Sequence, residues 1–263
     1  MREALNKAAS RGHARTVKLL LDRSADVNAV DHDGRTPLHN TVSHHLGSSR
    51  AHEETIIILL ENKADVNASD NLGRIALPDA ASSGHTEIVK LLLDYGAKIN
   101  AEGRNGTALR EAASLGYKEI VELLLNRGAN INATTVMGTA LYAAASSGYK
   151  EIVELLLNRE ADVNAGNINW IGVTETALHG AASGGHKETV ELLLGRGANI
   201  NAKGKGLADH TALYLAVRQL REDVVEVLLR NGAKIDKDLG ELVYTSSRRD
   251  ADYIFKDLLP AIS

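Results

Sequence analysis

Four side chains of the kinds used in general acid–base work, Asp79, Glu111, Tyr142 and His179, fall in the same short stretch of successive copies of a chain that repeats itself. With Arg110 and Tyr214 they form a row that would flank a small substrate, provided two groups come within hydrogen-bond reach. Metal chemistry is the next possibility. The ten histidines come without any cysteine, which removes a thiol nucleophile, a disulfide scaffold and Cys-ligated zinc. His13, His52, His85 and His186 sit in a turn before a helix, and His39 and His179 follow the leucine of a recurring helix-start phrase, leaving His32, His44, His45 and His210. Adjacent His44 and His45 do not supply a ligand set, so neither metal nor cofactor is expected. No nucleophile elbow, phosphate loop or metalloprotease motif occurs. Binding is the third possibility. Trp170, the single tryptophan, lies on a long loop with Ile168, Ile171 and Val173, the composition of a partner-binding anchor. The competing reading folds Trp170 back over its own loop.

These residues hang on a periodic framework. Ala25-Asp26-Val27-Asn28-Ala29 returns at Ala64–Ala68, Ala97–Ala101, Ala129–Ala133, Ala161–Ala165 and Ala198–Ala202, and fades at Ala233-Lys234-Ile235-Asp236. From Asn28 to Asp236 the steps are 39, 33, 32, 32, 37 and 35 residues. A period near 33 marks a stack of one supersecondary unit, each copy burying its apolar face against its neighbours.

Within a unit, a threonine opens the first helix: Thr36-Pro37-Leu38-His39, Thr107-Ala108-Leu109-Arg110, Thr139-Ala140-Leu141-Tyr142, Thr176-Ala177-Leu178-His179 and Thr211-Ala212-Leu213-Tyr214. Threonine caps a helix start, and Pro37 fits a first turn that needs no N–H. Small pairs such as Ala112-Ala113 and Ala144-Ala145 let successive first helices approach. Gly84, Gly116, Gly148 and Gly185 then turn the chain into an amphipathic second helix, as in Glu119-Ile120-Val121-Glu122-Leu123-Leu124-Leu125. That helix closes at Gly96, Gly128, Gly197 or Gly232, where a left-handed residue is favoured. Ile75-Ala76-Leu77-Pro78 lacks the capping threonine, and a distorted helix start is expected there.

This pattern resembles the ankyrin repeat over nearly the whole chain. Several motifs recur together at fixed offsets, and Gly116 to Arg127 repeats verbatim as Gly148 to Arg159. The resemblance implies an all-α ankyrin-repeat solenoid of helix-turn-helix units, with first helices lining a concave face and hairpin loops projecting along one edge. About eight helix pairs are expected in a single domain over residues 1–263. It comprises an N-terminal cap over 1–28, six central repeats over 29–236 and a divergent C-terminal cap over 237–263. Leu242, Tyr244, Tyr253, Ile254, Phe255, Leu258 and Leu259 would pack the last pair onto the seventh. In ankyrin-like units both histidine positions are bonded to nearby backbone. The phrases Leu20…Asn28, Leu59…Asn67 and Leu156…Asn164 also resemble targets of asparaginyl hydroxylases acting on ankyrin repeats, although asparagines that satisfy the loop backbone explain them more simply.

Functional information should sit where copies differ. Extra residues fall around His44–Ala51, between the helices of the second pair, in the loop Gly166–Glu175, and in the loop Lys203–His210, which brings in Leu207 and His210. The residues before each turn, Ser82-Ser83, Ser114-Leu115, Ser146-Ser147 and Ser183-Gly184, would point into the groove and leave it small and neutral. These small residues serve tight curvature equally well. The expected contact surface runs from that groove, through Ser114, Leu115, Ser146, Ser147, Tyr142 and Tyr214, to the loop residues Ile168, Trp170, Ile171, Val173, Leu207 and His210. Catalysis meets a geometric objection, because packed helices put neighbouring repeats about 10 Å apart. Small-molecule binding or an acid–base site of Asp79, Glu111, Tyr142 and His179 is the alternative.

Composition narrows the class. The chain is 44% apolar and 24% charged, which suits a globular fold, and only 3% aromatic, so its core must be aliphatic. A net charge of −4 argues against a general nucleic-acid binder. Locally, Arg2, Lys7, Arg11, Arg15, Lys18 and Arg23 outnumber Glu3 and Asp22, a surplus of 6 − 2 = +4 that would attract an acidic partner or merely solvate a capping face. No apolar run near 20 residues and no charged-then-apolar leader is visible. A soluble, cytoplasmic, monomeric protein that binds another protein, and neither membrane nor nucleic acid, is therefore expected.

Overall fold

A computed structural model describes residues 1–43, 50–168, 174–204, 210–235 and 239, the side chain of Ile168 excepted. Among these residues the chain forms 14 helices in seven pairs, divided between two compact units, Met1–Asn130 and Ile131–Ser263. The first unit contains α1 (Arg2–Ser10) and α2 (Ala14–Leu21), α3 (Pro37–Val42) and α4 (Arg50–Glu61), α5 (Ala76–Ser82) and α6 (Thr86–Asp94), then α7 (Ala108–Ser114) and α8 (Lys118–Asn126). The second contains α9 (Ala140–Ser146) and α10 (Lys150–Asn158), α11 (Ala177–Gly184) and α12 (Lys187–Gly195), and α13 (Ala212–Arg218) and α14 (Glu222–Arg230). The expected eighth pair and its apolar residues lie outside the described residues, as does the insertion at 44–49.

The threonine caps form. Thr107, Thr139 and Thr211 each accept the N–H of the residue three ahead at 3.3, 3.1 and 3.2 Å. Such a cap contributes about 1 kcal/mol. The Ile75 start differs from expectation: without a side-chain cap, α5 still begins in register and matches α7 in length. Pro78 falls in the first turn, where the missing N–H has no intrahelical acceptor to lose. A second difference concerns α4, which begins at Arg50, so that His52 lies inside the helix and not in the turn before it.

First helices stack on first helices and second on second: α1 on α3, α3 on α5 and α5 on α7 in one unit, α9 on α11 and α11 on α13 in the other. The leucine two residues after each cap, Leu38, Leu77 and Leu109, and Leu141, Leu178 and Leu213, is buried throughout. Each such burial is worth about 2 kcal/mol. Gly180 on α11 is a packing glycine. A Cβ there would come 3.0 Å from Ser146 Cβ and 3.2 Å from Tyr142 Cε2, so its absence lets α9 and α11 close up.

The recurring asparagines are the clamps between pairs. Asn28 Oδ1 accepts the Asp65 N–H, Asn67 that of Lys98, and Asn100 that of Asn130, each at 2.8 Å. In the second unit Asn132, Asn164 and Asn201 take the N–H groups of Asp162, Asn199 and Lys234 at 2.9, 2.8 and 2.8 Å. The residue before each alanine of the phrase is left-handed: Gly96, Gly128, Gly197 and Gly232 have φ near +86°, and Ser24, Lys63 and Glu160 hold φ of +63°, +66° and +67° without glycine's freedom. Two projecting loops close as short antiparallel ribbons, β1 (Glu102–Gly103) with β2 (Gly106–Thr107) and β3 (Asn167–Ile168) with β4 (Thr174–Glu175).

Candidate functional site

The side chain at the third helical position leans back toward the preceding hairpin, because Cα–Cβ bonds in a helix tilt to its N-terminus. In the second unit that position holds Tyr142, His179 and Tyr214, and the hairpins supply their partners. Tyr142 donates its hydroxyl to Glu175 Oε2 at 2.7 Å, a short bond to a carboxylate. His179 is buried. Its Nδ1 accepts the Thr176 N–H at 3.1 Å and meets Thr176 Oγ1 at 2.8 Å. That occupancy leaves Nε2 as the protonated nitrogen, which donates to the His210 carbonyl at 3.2 Å. Burial pushes the His179 pKa down, against the pull of Glu175, so the ring is neutral near pH 7. Next along the chain the rings of His210 and Tyr214 stack at 3.6 Å and 5°. Tyr142, Glu175, His210 and Tyr214 are all half-buried.

The remaining expected contact residues divide. Ser146 is half-buried and donates its hydroxyl to the Ala143 carbonyl at 3.1 Å, while Ser147 is exposed. Ile168 pairs through its backbone with Thr174. Trp170, Ile171, Val173 and Leu207 lie outside the described residues. In the first unit Ser114 bonds the Glu111 carbonyl at 3.1 Å, and Leu115 is 44% exposed.

The acid–base row is likewise distributed. Asp79 and Glu111 belong to the first unit. Burial raises the pKa of Asp79, although Ser43 donates to its Oδ2 at 3.2 Å and Arg74 and His39 oppose the shift. Burial also raises Glu111, against its ion pair with Arg110 at 3.0 Å, and the charge of Asp79 adds to the rise. Tyr142 and His179 belong to the second unit and have the partners already described. Since Nδ1 of His179 accepts from Thr176 while Nε2 donates, neither nitrogen is open to a substrate proton. Among the described residues, no group of three or more His, Asp or Glu side chains is placed to hold a metal ion.

Three features escaped the sequence reading. Glu175 was visible only as the end of a long loop, with nothing to link it to Tyr142. Asp70 has a wholly covered carboxylate that accepts Arg74 Nε at 2.7 Å and the N–H groups of Leu72 and Arg74, with Arg35 Nε at 3.6 Å. Burial opposes ionisation there, yet these bonds hold its pKa below the usual carboxylate range. The phrase Asp-x-x-Gly-Arg, present twice as Asp31–Arg35 and Asp70–Arg74, was the available signal. Hairpin tips also expose apolar side chains: Leu72 at 51%, Val136 at 53% and Met137 at 40%.

Comparison with known proteins agrees with this architecture. The family profile for ankyrin repeats, described as three copies, matches residues 2–70, 44–135, 101–167 and 167–238. An ankyrin repeat domain-containing protein of Stachybotrys chartarum (strain CBS 109288 / IBT 7711), SAT10, is 33% identical over 109 residues. That match takes in 41% of this chain but only 5% of the relative's length. The crystal structure of the human ASB11 ankyrin repeat domain superposes with a TM-score of 0.73 at 30% identity, covering 88% of this chain and 99% of that one. Ankyrin repeats in general are protein–protein interaction modules, and no helix among the described residues is long and apolar enough to cross a membrane. With matches running from residue 2 to residue 238 and helix pairs joined by asparagine clamps, the chain belongs to the ankyrin-repeat family.

Proposed function

We propose that this protein is a non-catalytic binding module that takes a protein partner on its second unit. The surface comprises Tyr142, Ser146, Ser147, His210 and Tyr214 together with the loops over 166–175 and 203–210, which carry Ile168, Trp170, Ile171, Val173 and Leu207. Ser114 and Leu115 are the equivalent turn residues of the first unit and belong to the same proposal. The observation that carries it is the pre-ordering of half-exposed aromatic groups: the Tyr142–Glu175 bond and the His210–Tyr214 stack fix rings that stay half-exposed. Rigid aromatic side chains with a polar handle give binding energy at low entropic cost. Exposed Val136 and Met137 on a hairpin tip of the same unit add apolar contact area.

The test is affinity capture with wild type beside a variant whose 166–175 loop is cut to repeat length, followed by titration of the captured partner. Trp170→Ala should weaken binding by about 2 kcal/mol or more with helicity intact. Tyr142→Phe should cost about 1 kcal/mol by removing the donor to Glu175. A partner that binds both point variants and the shortened loop as tightly as wild type rejects the site.

A further inference from the structure

The first helix pair carries one half of three devices whose other half, where the bonds are seen in later pairs, lies on the pair before. The first device is the amide of the recurring phrase. Asp65 and Lys98 donate theirs to Asn28 and Asn67, whereas the equivalent Asp26 N–H has no acceptor among the described residues. The second is the side chain just before the second helix or, for His52, in its first turn. His52 Nε2 lies 3.5 Å from the Ser10 carbonyl, His186 Nε2 lies 3.0 Å from that of Ser146, and Arg221 Nε donates to that of Ser183 at 3.2 Å. Their counterpart His13 is exposed. The third is an arginine after the second helix. Arg127 reaches back to Asp94 at 2.9 Å, and Arg196 reaches back to Asn158 at 3.0 Å and Glu154 at 3.7 Å. Arg23 holds the same place with no partner among the described residues.

Charge sharpens this. Two residues past the turn, every other described pair carries an acid: Glu54, Glu87, Glu119, Glu151, Glu188 and Asp223. Only the first pair carries a base there, Arg15. On α2, Arg15 and Lys18, with Arg23 just past its C-terminal end, flank Leu19, which is 48% exposed, while Val17 on the opposite side is buried. The whole stretch over 1–23 has the surplus of +4 worked out above, in a chain whose net charge is −4.

The geometry points to the exposed side of α2 as a docking surface for an acidic helix of a protein partner, with carboxylates meeting Arg15, Lys18 and Arg23 around an aliphatic residue seated on Leu19. It copies what Arg127 and Arg196 do inside the protein, where the arginine takes an acid or amide from the helix alongside. A nucleic acid is the less fitting occupant, because no Phe, Tyr or Trp occurs before Tyr95 to stack a base.

The test is fluorescence anisotropy with the full chain and a labelled helical peptide of about 18 residues carrying Glu–Leu–Glu at four-residue spacing, long enough to hold a helix. Binding should be micromolar and weaken with salt, as exposed charge pairs do. The double reversal Arg15→Glu/Arg23→Glu should weaken it at least about tenfold, as should Leu19→Asn, with circular dichroism and melting unchanged. Arg104→Glu, an exposed cation in the β1–β2 turn, should leave it as it was. Absence of binding, or equal loss on Arg104→Glu, overturns the proposal. So does tighter binding of a single-stranded RNA or of phosphatidylserine vesicles that the same double reversal abolishes. The Leu19→Asn variant keeps the test decisive if the double reversal fails to fold.

Discussion

The fourth position of the first helix is polar throughout the later pairs of the first unit, Asn40, Asp79 and Glu111, and apolar or absent in the second, Ala143, Gly180 and Leu215. In the first unit this row is tied into networks. Asn40 donates to Asp31 Oδ2 at 2.9 Å and to Asn6 Oδ1 at 3.2 Å, Ser43 donates to Asp79, and Arg110 pairs with Glu111. In the second unit the same place packs tightly, and polarity moves one residue earlier to Tyr142, His179 and Tyr214. One scaffold thus puts its polar groups to two uses: inward tethering in the first unit, and in the second an ordered row whose two tyrosines stay half-exposed around a buried His179.

Exchanging the two chemistries should therefore be costly in one direction only. Ala143→Asp would bury a carboxylate with no network to receive it and should destabilise the protein by about 3 kcal/mol or more, read from urea unfolding. A smaller loss would mean that the second unit also tolerates charge at this position.

Neutralising the first unit should help it. The pKa of Glu111 is raised above its ordinary 4.5, so the folded state binds its proton more tightly than the unfolded state. Its contribution to stability therefore improves as pH falls through the folded pKa toward 4.5 and is least favourable at pH 7. Glu111→Gln should stabilise by up to about 1 kcal/mol at pH 7 and remove that gain. His179 has the opposite sign. Its pKa lies below the ordinary 6.5, so the unfolded state takes up protons first and the second unit loses stability as pH falls below 6.5. Amide exchange followed on both units across this range should show them diverging, and parallel changes would contradict the assignment.

The smallest effect is expected at a position that ignores the boundary between units. Glu160 is left-handed where four other copies have glycine, so Glu160→Gly should stabilise by about 0.5–1 kcal/mol in thermal melts, with Lys63→Gly in the first unit behaving alike. Unequal responses would show that the two units strain this turn differently.

The period, the Thr-x-Leu helix starts and the glycine stops could be read directly because each is a local rule acting within a few residues. The histidines that follow the caps were assigned by the resemblance to backbone partners, and His39 and His179 meet them at the Arg74 and His210 carbonyls. What local rules did not reach is pairing across repeats. Tyr142 and Glu175 are 33 residues apart, and no spacing rule joins a helix side chain to one particular hairpin carboxylate. Of the Asp70 contacts, only the approach of Arg35 was hidden for the same reason, since Arg74 lies four residues away within one local phrase. The missing cap and Pro78 do not distort α5, because packing of Leu77 and the neighbouring alanines holds its start in register.

The asparagine clamps also make the molecule its own reporter. Because the amides of Asp65, Lys98, Asn130, Asp162, Asn199 and Lys234 are each held by a side chain of the preceding copy, their protons are shielded only while that copy stays seated. Six assigned resonances would therefore register where the array parts first, at interfaces and not within repeats, without any label added to the protein.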